Sequence, residues 1–220
     1  DVYKRQVGRY LFQSVSAPAI AISNSDEALR AAKETVNVRG RSYFVGDTAA
    51  IQARGAVTAG LNRDWIESNE HIALMSHARN LISEGAEVFG GRTVVLGLPV
   101  VEFESRRNTL REIAHEVFGS STQVRVMPQP MGTYQSVMLT RNGTPASGRA
   151  IHEESWGVID VGYYSTDIIV LIQGRWVEAG SGGGPGIYLA AQSLERILAE
   201  KGIEVDIFEA EEALRKKQLK

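Results

Sequence analysis

The sequence predicts an α/β fold. Short apolar runs rich in Val, Ile and Leu alternate along the chain with stretches whose apolar residues recur at helical spacing. The run Thr93-Val94-Val95-Leu96-Gly97-Leu98 is continuous and ends in Gly-Leu-Pro, as a buried strand does. A second apolar strand, Val158-Ile159-Asp160, turns at Gly162 and runs back into Ile168-Ile169-Val170-Leu171-Ile172.

Taken in order, residues 9–22 read as extended pieces broken by Pro18, with Tyr10-Leu11-Phe12 before it and Ala19-Ile20-Ala21-Ile22 after it. Val36-Asn37-Val38 and Tyr43-Phe44-Val45 form a hairpin about Arg39-Gly40-Arg41. Gly46 supplies a sharp bend after it, and Asp47 is read as a helix N-cap. Residues 69–84 are expected to be a helix on the spacing of Ile72, Met75, Ala78 and Leu81/Ile82, stopped by Gly85. Residues 93–98 follow as a buried central strand. The helix over 105–118 rests on Leu110, Ile113, Ala114 and Val117. Val124-Arg125-Val126-Met127 is a short strand leading into Pro128-Gln129-Pro130, ahead of a helix near 132–140. The polar, turn-rich segment 141–148 marks a boundary between two lobes, 7–148 and 149–220. Beyond it lie the strand pair about Asp160, a glycine-rich run at 180–186, and helices over 187–200 and 205–217.

Composition is that of an average folded domain: 43% apolar, 23% charged, net charge −2. So even a balance supplies no electrostatic attraction to nucleic acid or to a membrane surface. With no cysteine there is no disulfide, thiolate metal site or thiol nucleophile. No apolar run is long enough to span a membrane, and no signal-peptide pattern opens the chain. The polar opening Asp1–Gln6, without an initiator Met, reads as a leader or a cut end.

Three segments carry chemistry. In Asp160-Val161-Gly162-Tyr163-Tyr164-Ser165-Thr166-Asp167 the glycine admits close backbone approach to an anion, successive turn N–H groups form a concavity for it, and Ser165 and Thr166 offer hydroxyls. Asp160, at the strand end, is placed to hold a hydrated Mg2+ or orient a water. The competing reading is an ordinary hairpin. Gly180-Ser181-Gly182-Gly183-Gly184-Pro185-Gly186, ahead of a helix, offers backbone N–H groups to a phosphate or ribose, against the alternative of a plain linking loop. Gln129, held between two prolines, is placed to orient an attacking water, against the alternative of a rigid surface turn. The histidines 71, 77, 115 and 152 lack metal-ligand spacing, and Glu102, Glu104, Arg106, Arg107, Glu209, Glu211 and Glu212 read as solvated helix faces.

In sequence order these pieces resemble the actin-like ATPases of plasmid segregation, the ParM/StbA type, in the superfamily of actin, sugar kinases and heat-shock chaperones. The matching residues are Phe44-Val45-Gly46-Asp47, Gly97-Leu98-Pro99-Val100 with Arg107 and Leu110, Val126-Met127-Pro128-Gln129, the Asp160–Asp167 turn, and Gly180–Gly186 before a helix. The resemblance implies an actin-like (ribonuclease H-like) fold of two lobes, with ATP or GTP and Mg2+ as ligands. It implies that Gln129 and Asp160 position the hydrolytic water, Asp160 acting through metal-bound water. It also implies that Gly162, Tyr163, Tyr164, Ser165 and Thr166 form the second phosphate loop, with Gly182, Gly183, Gly184 and Gly186 near ribose and phosphates. Tyr163 and Tyr164 depart from the family's Gly-Gly-Thr form. The family's first phosphate loop is expected before residue 9 and its adenosine motif beyond residue 220, so the chain is read as truncated at both ends and inactive alone. Partners by resemblance are further copies of the chain in a cytoplasmic filament and a DNA-bound adaptor, with no direct nucleic-acid or membrane contact. The alternatives are a non-hydrolysing nucleotide-binding scaffold and a small-molecule kinase of the same superfamily.

Overall fold

Strands and helices are interspersed along the described residues of the computed structural model, 10–53, 64–83 and 91–218. They pack as two compact units. The first comprises the described residues up to Leu96 together with Arg106–Val126, and the second comprises Gly97–Ser105 and everything from Met127 on. The polar break at 141–148 therefore lies inside the second unit.

In the first unit, β1 (Ser16–Pro18), β2 (Thr35–Val38) and β3 (Arg41–Val45) form an antiparallel sheet in the order β1-β3-β2. The expected hairpin is present. Arg39 and Gly40 both take positive φ, 48° and 80°, the combination that lets a two-residue turn follow the twist of its strands. Of the extended pieces around Pro18, only Ser16–Pro18 pairs as a strand; Tyr10–Phe12 and Ala19–Ile22 do not. Helix α1 (Ser25–Ala32) is absent from the sequence reading although its signals are local: Asn24 accepts the Glu27 N–H, and Asp26 and Glu27 sit in the first turn. Helix α2 (Gly46–Gln52) corrects the expected role of Asp47. Its N-cap is Val45, without a side-chain bond, and the Glu34 carboxylate accepts the Thr48 N–H at 2.7 Å instead. A carboxylate delivered from the turn between α1 and β2 serves the helix end as well as a local one.

Helix α3 (Asn69–Ser83) follows a 3-10 turn at Trp65–Glu67 and buries Ile72, Ala73, Leu74, Met75 and His77. The expected stop at Gly85 lies outside the described residues. Among the described residues β4 (Thr93–Leu98) pairs only with β5 (Gln123–Pro128), and Val95 is 51% exposed. The expectation of a buried central strand is thus corrected: a continuous apolar run shows strand, and neighbours alone decide burial. Helix α4 (Val100–Phe118) begins directly after Pro99, five residues before the expected start.

In the second unit, α5 (Pro130–Met138) starts with proline at its first turn, where the missing N–H costs nothing. Strands β6 (Trp156–Val161), β7 (Ser165–Ile172) and β8 (Arg175–Pro185) form an antiparallel meander. One face of it, with Val158, Ile169 and Leu171, packs on Tyr134 and Met138 of α5. The glycine run from 180 to 185 belongs to β8, not to a loop. Gly182, Gly183 and Gly184 lie opposite Ile168, Asp167 and Thr166, after a bulge near Ile168 and Val170. Helix α6 (Tyr188–Glu200) and helix α7 (Ile207–Lys216) close the unit, α7 through a full capping box between Asp206 and Glu209. No helix among the described residues is long and apolar enough to cross a membrane.

Candidate functional site

The turn between β6 and β7 is held by its carbonyls. Gly162 O accepts from Ile187 N at 3.2 Å, Tyr163 O from Tyr188 N at 2.8 Å, and Tyr164 O from Gly186 N at 3.0 Å. These donors are amides at the start of α6, which a helix end otherwise leaves without partners. A trans peptide sends its C=O and its following N–H to opposite sides, and no peptide of the described chain is cis. Three successive carbonyls turned toward α6 therefore direct the amides of Tyr163, Tyr164 and Ser165 to the other side. Successive N–H groups on one side are an anion-binding arrangement. Donation into the carbonyls polarises these peptides and strengthens their amides as donors.

Two glycines make this closure possible. A Cβ on Gly186 would stand 2.5 Å from both Gly162 O and Tyr163 O, and one on Gly162 would stand 3.0 Å from Ser165 O. Gly183 is tight as well, 3.1 Å from Thr166 O and 3.2 Å from an Asp167 carboxylate oxygen. Gly182 and Gly184 face open space.

The hydroxyls behave otherwise than the sequence suggested. Ser165 Oγ donates to Asp167 Oδ2 at 2.6 Å, and Thr166 Oγ1 donates to Pro185 O at 3.0 Å. Both protons are spent inside the fold, so the turn offers an anion its backbone rather than its hydroxyls. Tyr163, Tyr164 and Tyr188 cluster with ring centroids 4.7 to 6.2 Å apart. Burial, then the neighbouring Tyr163 and Tyr188, pushes the Tyr164 phenol up to about 12. Tyr163 is also raised, first by burial and then by Glu211, Tyr188 and Glu195. Both rings stay neutral at physiological pH and add no charge repelling an anion.

Asp160 is the penultimate residue of β6, half-buried, directly across the ladder from Asp167. Asp167 is not among the site residues to which the sequence points. It is 2% exposed, and its second oxygen accepts the Val100 N–H at 2.6 Å, at the start of α4. The signal was a lone carboxylate on a strand face otherwise occupied by Ile169 and Leu171. Gln129 is exposed at the N-cap of α5, its amide bonded to Leu98 O at 2.8 Å. A Cβ on Gly97 would stand 2.8 Å from Gln129 Cγ, so this glycine leaves room for the glutamine side chain. The segment Leu98-Pro99-Val100 thus carries a bond to Gln129 at one end and to Asp167 at the other.

The family model "Actin like proteins N terminal domain" matches residues 2–132. No curated protein sequence matches the chain. Among solved structures, the chain is similar to the archaeal actin homolog Ta0583 at 20% identity and TM-score 0.59, over 94% of this chain and 65% of that one. It is similar to the MamK double helical filament at 16% identity and TM-score 0.60, over 94% and 58%. It is similar to MreB5 of Spiroplasma citri bound to ADP at 17% identity and TM-score 0.56, over 77% and 49%. The chain spans less than two thirds of the length of each. At these identities the likeness is one of fold.

Proposed function

Because the chain belongs to the family of actin-like proteins, through their N-terminal domain, we propose that its β6–β7 turn is a phosphate-gripping element of a nucleotide-dependent filament protein. The observation that carries this reading is the set of three carbonyls bound to the start of α6, which leaves the amides of Tyr163, Tyr164 and Ser165 on the opposite side. Backbone amides serve a phosphate whatever side chains they bear, so the two tyrosines are compatible with the role. The ligand is a nucleoside triphosphate, ATP or GTP, gripped through its phosphate oxygens. Asp160, half-buried near the strand end, would hold a Mg2+ ion, which would supply charge neutralisation at the phosphates. Gln129 orients the attacking water, and Gly97 leaves it the space. Gly182 and Gly184, open above β8, are where a ribose finds room. Filament assembly in plasmid DNA segregation, with copies of the chain and a DNA-bound adaptor as partners, is the cellular role this reading favours. One solved relative is a double helical filament and another was bound to ADP.

Titration of the 15N-labelled chain with MgATP, and with inorganic phosphate as the minimal probe, tests the reading. The amide resonances of Tyr163, Tyr164 and Ser165 should shift together, with saturation in the millimolar range, as suits a few hydrogen bonds exposed to water. Unmoved turn amides at saturating MgATP would refute it. Phosphate release from a version extended at both ends separates hydrolysis from mere binding: a rate lost in Gln129→Ala with MgATP affinity unchanged assigns the glutamine to the water.

A further inference from the structure

Asp167 is the one carboxylate among the buried polar side chains of the described residues, and the proposed grip on phosphate gives it nothing to do. It is fully used all the same. One oxygen accepts the Val100 N–H and the other the Ser165 hydroxyl, each at 2.6 Å. Charge-assisted bonds of that length are about twice as strong as neutral ones. The Val100 amide belongs to the first turn of α4, where an anion also meets the positive end of the helix. Around the carboxylate the fold is cleared and packed. A Cβ on Gly183 would stand 3.2 Å from Asp167 Oδ1 and 3.3 Å from Val101 Cγ1, so a side chain there would press on the carboxylate and on Val101. Two residues on, Phe103 of α4 meets the Trp176 ring edge-on at a centroid distance of 5.6 Å. Ser165 carries one of the three outward amides. The same residue therefore faces a ligand with its backbone and Asp167 with its side chain.

We propose that Asp167 is a positioning residue, a buried strut that fixes Ser165 to the first amide of α4, so that occupancy of the turn amides is felt at Val100. The coupling rests on the phosphate reading above; the strut does not. A phosphate oxygen pulling on the Ser165 amide moves the base of β7, and the Asp167 carboxylate carries that displacement to the helix start.

Amide hydrogen exchange on the 15N-labelled chain tests it. Without ligand, Asp167→Ala should speed exchange at Val100 by about tenfold while Leu110, Ile113 and Ala114 of the same helix keep their rates. Asp167→Asn should stay near the wild type, because its carbonyl oxygen still accepts from Val100 and its amide donates to Ser165. An unchanged Val100 rate in Asp167→Ala, or an Asn variant as fast as the Ala variant, overturns the strut. Should Asp167→Ala fail to fold, Ser165→Ala removes a single hydroxyl and should still displace the Val100 resonance, and a resonance left in place overturns the proposal equally. With inorganic phosphate added, the wild type should slow at Val100 in step with the shifts at Tyr163 and Tyr164, and Ser165→Ala should lose the slowing. Shifts without slowing in the wild type overturn the coupling. If phosphate shifts no turn amide, the phosphate reading falls, and the ligand-free rates decide the strut by themselves.

Discussion

Gly186 has no side chain because two carbonyls occupy the place where one would begin. Gly162 O and Tyr163 O both lie 2.5 Å from the position of a Cβ, and both are main-chain atoms that cannot swing aside. Gly186→Ala should therefore destabilise the chain by about 1–3 kcal/mol, the usual cost of overpacking, whereas Gly184→Ala, which meets nothing within 4 Å, should cost well under that. Urea unfolding of the two variants side by side measures the difference. If they prove equal, the tight seat of α6 on the turn is not a feature of the folded chain. The sequence shows both glycines in one run and gives no means of ranking them. Their difference is one of neighbours, and the neighbours come from Gly162 and Tyr163, more than twenty positions away. Asp167 was hidden for the same reason, since a carboxylate at an inward strand position becomes intelligible only when Val100 is seen to face it.

At the scale of elements, local signals served well where a residue acts on its own segment. The hairpin at Arg39-Gly40, the α7 capping box and the proline opening α5 each agree with what their residues prefer. They failed where a distant group took over a local role, as Glu34 did at the start of α2. Helix α3 offers a prediction of its own. Burial lowers both His71 and His77; the bond to Ile66 O at His71 and the charge of Glu34 at His77 only partly oppose it. His77 also meets the Phe12 ring edge at a centroid distance of 4.9 Å. Since the unfolded chain takes up these protons near pH 6.5 and the folded chain only at lower pH, stability is full above that value. It falls as pH drops below it, by at most about 1.4 kcal/mol per pH unit for each histidine. Urea midpoints should decline from pH 7.5 to pH 5, and His77→Gln should flatten the decline. A midpoint independent of pH in that window would remove burial of the two rings as an energetic term.

At the scale of the whole molecule, the β6–β7–β8 sheet is dressed on one face only among the described residues. Val158, Ile169 and Leu171 pack on α5, while Ile159, Val161, Ile168 and Ile172 on the other face are 40–65% exposed, with Ile159 and Ile168 paired directly across the ladder. Replacing both with threonine should leave folding stability within about 0.5 kcal/mol per site, because little burial is lost and threonine suits a strand. The same double change should raise the solubility limit by shrinking an apolar patch. A loss of several kcal/mol on thermal unfolding would mean that this face is covered. Exposure of four aliphatic residues is not visible in the sequence, where both faces of β7 read as one apolar run.

What the sequence by itself determined was the order and kind of most elements, α1 and the glycine-rich half of β8 excepted, and the place of the turn about Gly162, because hydrophobic period, proline and glycine act within a few residues of themselves. It also carried the resemblance to the actin-like family that the match over residues 2–132 bears out. The tertiary structure alone decided which donors the turn presents. Whether Ser165 and Thr166 keep their protons for a ligand depends on Asp167 and Pro185 O, and the direction of the turn amides depends on where α6 begins. Hydrogen bonds between segments far apart in the chain follow from packing, and packing is a property of the assembled fold.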